Sequence, residues 1–590
     1  MSKLRSKFVV RLLAGLTILI LTAGLFSACG GKGGSAAGNG KGGLDYTVEP
    51  GEKDEYLGFW SAGPFGGVWV VGLPSMRILR EIPVFEQRAA YGYGFDAETR
   101  ALIEPENWGD THHPALSETK GEYDGKLLFI NDKANGKLAK IDLRTFKTVA
   151  ITRIPNVQGS HGTAVDPDTR YVFVAAELER PANQSADAGE PGSYISMLSA
   201  VDPQTMLVKW QVLTPGNTDM IDVSKDGRYV LATMYNTEMA VTLEGMIKAD
   251  RDGVAVIDIA KAEEAIAAGK YTEMGGTKVL KGAEVENLLQ VVPVPKNPHG
   301  VDVDPTGRYA IANGKLSPTA SVIDLQTLKV VAEPELGAGP LHSQFDDKGN
   351  AYTTMFLDST IVKWNIKAAV EGKPKEEYIV DVIDVHYNPG HLAAAEGDTV
   401  SPDGNWLVSL NKLAKDRFTN IGPDFAENEQ LIDISGKKMK LVYDMPIVPE
   451  PHYAQIIKAD KLKPIEVWDL QEGALETKAE PVAEGKDRIE RRDGKVYIYT
   501  TARRSEYGLK EMRVKQGERV VLNVTNIETT KDIIHGLAIP EYGINKSLAP
   551  GETVRVEFTA DKPGVYWLYC TWFCSALHLE MRSRLVVESS

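Results

Sequence analysis

The chain has 590 residues, 43% of them hydrophobic, which suffices for two or three domains with cores of their own. A formal net charge of -15 gives an acidic surface field that argues against nucleic acid and suits a basic partner. Only three cysteines are present, and two of them lie four residues apart near the C-terminus.

The first element is an export signal over residues 1–29. Lys3, Arg5, Lys7 and Arg11 precede an apolar run from Leu12 to Phe26 that is short for a membrane span. The run ends in "LFSACG", whose small pair before Cys29 resembles a bacterial lipoprotein processing site with Cys29 as the lipidated residue; ordinary cleavage near Ala28 is the alternative. Phe26 is less usual than Leu at its position, and no adjacent arginine pair of the twin-arginine type is present. Residues 30–45 form a flexible Gly/Ser spacer. The reading is an exported protein of the periplasm or the outer face of the cell membrane, with a lipid tether through Cys29.

Residues 46–475 repeat a turn followed by a strand: "DGKLLFIN", "PDTRYVFVAA", "KDGRYVLATM", "PTGRYAIANG", "DKGNAYTTMF" and "PDGNWLVSLN". Several are followed by a second strand, as in "GKLAKIDLRT" and "TASVIDLQT". Four-stranded units at irregular spacing predict a β-propeller with loop insertions. Six units are visible. A seventh, closing unit is expected to combine segments near 60–90 and 430–470, giving a seven-bladed propeller.

The histidines of this region keep register with the repeats. In "SHGTAVDPDTR", "PHGVDVDPTGR" and "LHSQFDDKGN", His161, His299 and His342 precede the turn by seven or eight residues, so each takes the same place in its blade. In "TDMIDVSKDGR" Asp219 holds that slot. With His112 and His113 in "GDTHHP", His391 in "YNPGH" and His452 in "EPHY", seven of the chain's ten histidines converge on the propeller axis. A single strand histidine is ordinarily structural, and His386 is read so. Clustered neutral imidazoles in register require a metal, since without one they are unsatisfied and mutually repelling when protonated.

After a linker over 476–493, residues 494–590 change to short alternating strands separated by Gly, Pro and Asp turns, a small β-sandwich. It carries C-x3-C-x3-H-x2-M, namely Cys570, Cys574, His578 and Met581. Soft thiolates, imidazole and thioether suit copper, with His535 of "KDIIHGLAIP" as the distant ligand. A mononuclear blue-copper site needs one cysteine, so the second points to two thiolates bridging two coppers. A Cys570–Cys574 disulfide is the alternative reading, against which the rest of the motif argues. The motif resembles the binuclear CuA site of cytochrome oxidase subunit II and nitrous-oxide reductase. That resemblance implies His535, Cys570, Cys574, His578 and Met581 as ligands, with the carbonyl of Trp572 as the remaining contact. An oxidase subunit would show membrane-spanning helices before the sandwich, and none are seen; nor is there a CxxCH haem site.

Propeller plus cupredoxin-like sandwich, with "GDTHHP", "EPHY" and "CTWFCSALHLEM" in order, resembles the bacterial nitrous-oxide reductases over everything after the spacer. The fold so implied is all-β, a seven-bladed propeller followed by a C-terminal cupredoxin-like sandwich. The resemblance implies that His112, His113, His161, His299, His342, His391 and His452 hold a four-copper, sulfide-bridged cluster, CuZ. There nitrous oxide would take two electrons and two protons to give dinitrogen and water, the terminal step of denitrification. The sulfides would come from outside, since no cysteine accompanies the propeller histidines. Asp110 is the first candidate for a proton carrier and equally a candidate to orient a ligating imidazole; Lys412 is a weaker electrostatic candidate. The family pattern also places calcium at Tyr235, Glu238, Met246, Asp252 and Asn297, and beside Lys412 and Glu427. It implies a head-to-tail homodimer, a c-type cytochrome or cupredoxin donor docking near Trp572 and Phe573, and cluster maturation proteins. Tyr453 and the general-export signal resemble the second branch of the family. Two other readings stay open: an exported electron-transfer protein whose propeller binds no cluster, and a purely structural propeller lipoprotein.

Overall fold

Each repeat begins with a polar turn whose first side chain ties down the strand behind it. Asp304 accepts from the N–H groups of Thr306 and Tyr309, and Ser224 Oγ accepts from those of Arg228 and Tyr229. Gly307 supplies the left-handed residue of this turn at φ 68°, a slot that Thr169 fills at φ 49°. The computed structural model describes residues 44–589 apart from 107, 180–195, 236–241, 248–251, 415–426 and 448. Cys29 and Glu238 lie outside the described residues, as does the side chain of Met246.

Among the described residues, seven mainly antiparallel sheets arise from these repeats. Six follow chain order from their inner strands: β1 (Thr111–Thr119), β2 (Val157–Val165), β3 (Asn217–Val223), β4 (Pro298–Val303), β5 (Pro340–Phe345) and β6 (Tyr387–Ala394). The remaining sheet pairs three strands from residues 56–83 with β7 (Ala454–Lys458), so the two ends of the region share one sheet. The inner strands neighbour one another in the closed order β1 to β7 and back to β1, which makes the region a propeller. The core lies between successive sheets; Leu231 and Val254 of the β3 sheet pack with Val301 and Ala310 of the β4 sheet. Such residues dominate because both faces of every sheet are covered.

One irregularity recurs. The pairing of β1 to β6 with the second strand of each sheet slips at 111/114, 160/163, 218/221, 298/301, 340/343 and 389/392. Each slip spans two residues, and those pairs contain His112 and His113, His161, Asp219, His299, His342 and His391. A bulge re-aims side chains that a regular strand would send into the neighbouring sheet.

The C-terminal region is a sandwich of two five-stranded sheets with a core that includes Val496, Leu522, Leu537 and Leu568. Its first strand, Arg488–Arg492, lies inside the segment expected as a linker. Four of its five residues are charged, so its alternation is invisible in the sequence; an edge strand tolerates this because little of it is buried. The same segment begins at the end of helix α1 (Leu470–Glu476), whose Gly473 packs against the backbone of Gly551 and Glu552. Among the described residues no helix is long and apolar enough to cross a membrane.

The sandwich is seated on the propeller at Gly92. A Cβ there would lie 2.4 Å from the carbonyl oxygen of Asn545 and 2.5 Å from Lys546 Cα, and Lys546 pairs with Asp96 beside it. At φ 66°, Gly92→Ala combines a left-handed strain with a clash against backbone that has no rotamer to change. The variant is expected to lose about 2–4 kcal/mol in urea unfolding, whereas Gly543→Ala, also left-handed but open, loses about 1 kcal/mol.

Candidate metal centres

The bulges deliver six imidazoles to one place on the axis, and His452, just before β7, adds a seventh. Ring centroids of His112 lie 3.6 Å from His452 and 4.5 Å from His161; His391 lies 4.6 Å from His342, 4.7 Å from His452, 5.0 Å from His113 and 5.2 Å from His299. All but His299 are buried, and five of them, His112, His113, His161, His342 and His391, are at 2% exposure or less. Both ring nitrogens of His112 and of His391, Nε2 of His113 and His452, and Nδ1 of His299 are buried without a hydrogen-bond partner. Buried polar atoms are ordinarily satisfied, so a concentration of orphaned imidazole nitrogens is the signature of ligands facing a metal. Burial, reinforced by neighbouring imidazoles and Lys133 or Lys412, holds His112, His113, His161, His299, His391 and His452 well below the ordinary histidine range. Neutral imidazole is the form that binds a transition metal.

Other groups brace the ring. His113 Nδ1 meets the carbonyl of His161 at 2.6 Å, which leaves Nε2 to face inward. Asp219, in the slot a histidine holds elsewhere, contacts His161 Nδ1, lies 3.4 Å from His299 Nε2 and accepts from the Tyr235 hydroxyl at 2.8 Å. The register argument located Asp219 but assigned it no task; two imidazoles sharing one buried carboxylate is a relation that only the assembled ring exposes. Asp219→Ala strips both histidines of that partner, and the ring's affinity for a transition metal is expected to fall about 10–100-fold by metal titration, with little change in Asp226→Ala at the surface. Glu177, 3.6 Å from His161 Nε2, and Lys133 beside it complete the wall, and the sequence offered no signal for either.

Asp110 Oδ1 is 3.5 Å from His112 Nδ1, and burial with nearby Glu450 pushes its carboxyl up to about 6. Lys412 Nζ lies 3.1 Å from His452 Nδ1 and 3.0 Å from Glu450, its ammonium destabilised chiefly by burial. Its head is thus turned to the histidine ring, leaving only its carbonyl oxygen for a hard cation. Glu427 borders the described region and is one of the acidic groups acting on Lys412. Among the other residues assigned to calcium, Asp252 Oδ2 accepts from the N–H of Asn297 at 2.8 Å, two residues before His299, and Tyr235 reaches Asp219. His386 is apart from the ring, its Nε2 3.0 Å from Asp444.

A second constellation sits in the loop between strands Gly564–Tyr569 and Arg582–Glu588. Cys570 and Cys574 are buried free thiols. Cys570 Sγ is 3.9 Å from His535 Nδ1 and 3.2 Å from the Trp572 carbonyl; Cys574 Sγ is 3.9 Å from His578 Nδ1 and 3.7 Å from Met581 Sδ. Burial pushes the Cys570 thiol up to about 11, a cost that a bound cation would reverse. His535 shows its other nitrogen, Nε2, to Glu528 at 3.4 Å, and Glu528 is held by Arg504. Sequence reading missed that orienting pair, because a Glu in "NIETT" and an Arg in "ARRS" look like surface charge. Among the described residues, groups of three or more His, Cys, Asp or Glu ligand atoms within 4.8 Å of one another occur only at these two constellations.

Comparison with known proteins agrees in both regions. Residues 154–220 and 382–452 match family models described as "Nitrous oxide reductase propeller repeat 2" and "Nitrous oxide reductase propeller repeat"; residues 497–590 match "Cytochrome C oxidase subunit II, periplasmic domain". The chain is 43% identical over 576 residues to the nitrous-oxide reductase of Stutzerimonas stutzeri, covering 92% of this chain and 90% of that one. It is 42% identical over 627 residues to that of Ralstonia nicotianae, covering 98% and 95%. Cytochrome c oxidase subunit 2 of Albinaria turrita is 32% identical over 84 residues, 12% of this chain and 38% of its own.

Proposed function

The chain belongs to the nitrous-oxide reductase family, and from that premise we propose that its histidine ring holds the four-copper, sulfide-bridged cluster CuZ while its tail loop holds CuA. The reaction is the reduction of nitrous oxide to dinitrogen and water. The observation that carries the assignment is the set of orphaned, neutral ring nitrogens facing one another on the axis. Copper bound there would supply the electrons and the Lewis acidity toward the departing oxygen. The chain's own contribution is to bury the site, to fix the imidazoles through Asp219 and the His161 carbonyl, and to keep Asp110 at the margin, where its contact with His112 supports an orienting role beside that of proton carrier.

At the second site, two thiolates, two imidazoles and a thioether suit a pair of soft copper ions, and Glu528 and Arg504 hold His535 toward it. We assign the head-to-tail homodimer and a cytochrome c or cupredoxin donor to this face, because Phe573 and Leu579 are each 82% exposed beside His578. Calcium at Tyr235, Glu238, Met246, Asp252 and Asn297 would brace His299 through Asn297, with a second ion near Lys412 and Glu427. The propeller over 46–475 and the cupredoxin domain after it would be exported behind the signal of residues 1–29, tethered at Cys29 and loaded with copper by maturation proteins. Copper analysis of protein from a denitrifying host separates this reading from a pure electron-transfer protein: about six coppers per chain are expected, against about two if only the tail site is occupied.

A further inference from the structure

Between the strand Arg77–Pro83 of the closing sheet and β1 the chain forms a small knob, "RAAYGYG". Arg88 and Tyr93 exchange backbone hydrogen bonds at 3.0 and 3.2 Å, which closes the loop, and the turn Ala89–Tyr91 between them ends at the left-handed Gly92. Tyr93 ties the knob down, its hydroxyl donating to the Val84 carbonyl at 2.7 Å. Tyr91 is held from the same side. Its hydroxyl accepts from the Glu81 N–H at 3.3 Å, and the Arg80 guanidinium stands 5.7 Å from its ring centroid. The propeller therefore fixes this ring on its own.

The knob seats on the sandwich strand Ile544–Leu548. Asn545 Nδ2 donates to the Ala89 carbonyl at 2.5 Å, and the Ser547 hydroxyl reaches the Tyr91 carbonyl at 3.5 Å. That strand pairs with His535–Ile539 and sets Leu548 opposite His535. The Tyr91 ring then meets Trp572, with centroids 5.9 Å apart and planes at 57°. Trp572 lies between Cys570 and Cys574, and its carbonyl is 3.2 Å from Cys570 Sγ. Its indole Nε1 is buried without a hydrogen-bond partner among the described residues. A buried donor left unpaired is costly, so a ring free to turn would satisfy it; packing is what holds this one. The sandwich core covers part of the indole, and Tyr91 is the propeller ring packed against it.

We propose that Tyr91 is a positioning residue for the tail metal centre: by holding the Trp572 indole it sets the carbonyl of the same residue against Cys570, so that each chain's propeller tunes its own copper site. The inference rests on the reading of that site as CuA. An oxygen donor added to thiolate and imidazole ligands favours the oxidised metal, and its influence weakens as the contact lengthens. Releasing the indole lets the carbonyl move away, which favours the reduced form.

The test uses full-length protein whose wild-type form shows the absorption and electron paramagnetic resonance of a two-copper tail site, which keeps failure of the inference distinct from failure of that reading. Tyr91→Leu is expected to keep about two coppers there, to alter the absorption and the copper hyperfine pattern, and to raise the reduced-to-oxidised ratio at a fixed potential at least about threefold. Tyr91→Phe keeps the ring and is expected to match wild type. Lys546→Met removes the pair with Asp96 elsewhere in the same seam and is expected to leave signature and ratio unchanged. A wild-type signature and ratio in Tyr91→Leu would overturn the inference. So would an equal change in Lys546→Met, since the seam would then act as a whole. Trp572→Phe keeps the carbonyl but shortens the ring, and wild-type behaviour of that variant would sink the idea even if Tyr91→Leu did not fold. The metal-free chain gives a readout independent of copper loading. With fluorinated tryptophan incorporated, the fluorine resonance lost in Trp572→Phe identifies Trp572 among the nine tryptophans. It is expected to shift in Tyr91→Leu and to stay in place in Lys546→Met; a resonance unmoved in Tyr91→Leu would refute the proposal.

Discussion

His391→Ala is expected to abolish nitrous-oxide reduction, lowering turnover by at least about a thousandfold, and to take copper from about six to about two per chain. The position is chosen because His391 is fully buried and lies within 5.2 Å of four other rings, those of His113, His299, His342 and His452. Both of its nitrogens are without a hydrogen-bond partner. Two opposite effects on stability follow. In the metal-free chain, deleting two buried orphan nitrogens offsets much of the lost packing, so unfolding free energy falls by no more than about 1 kcal/mol. In the copper-loaded chain the same deletion removes a ligand, and the stabilisation conferred by metal is lost with it. A buried structural histidine would behave the other way, costing the metal-free chain the most. Copper analysis, headspace gas measurement and urea unfolding of both forms check the pattern.

Cys574→Ser is expected to remove about two coppers per chain, to leave the remainder in place, and to stop electron transfer from a protein donor, lowering donor-driven turnover by at least about a hundredfold. Cys574 Sγ stands between His578 Nδ1 and Met581 Sδ, so it is the sulfur that would share a metal with those two side chains. A serine hydroxyl fits the space but stays protonated and is a hard donor, which neither bridges nor binds soft copper. The substitution costs the fold about 1 kcal/mol in a mostly apolar core, since the residue is 9% exposed at the edge of its cluster. The absorption of the tail site and the rate of reoxidation of a reduced cytochrome donor are the measurements. A Cys570–Cys574 disulfide would instead leave copper content unaffected by the change.

The fold and both residue clusters were legible in the sequence to different depths, for physical reasons. Turn residues such as Asp304 and Gly307 act locally, so each repeat announced itself, and β7 closing onto the strands of residues 56–83 agrees with the expected joining of segments near 60–90 and 430–470. The histidines could be placed in register because each precedes its own turn. What the register could not contain was the bulge at 111/114 and its five counterparts, which turn two consecutive residues toward the axis and explain why His112 and His113 contribute together. Asp219 was seen in the histidine slot and taken as a ligand withheld, whereas the assembled ring makes it a shared brace for His161 and His299. Glu528, Arg504, Glu177 and Lys133 were out of reach, since their significance depends on contacts between residues 7 to 44 positions apart that no local pattern encodes. The strand Arg488–Arg492 was lost to its charges.

Headspace nitrous oxide over oxygen-free, copper-loaded protein with an artificial reductant, with copper assayed on the same sample, tests the central claim most directly. The account predicts consumption of nitrous oxide with matching release of dinitrogen, at about six coppers per chain. Protein holding that copper and leaving nitrous oxide untouched, beside a known reductase from the same host that consumes it, would contradict the account.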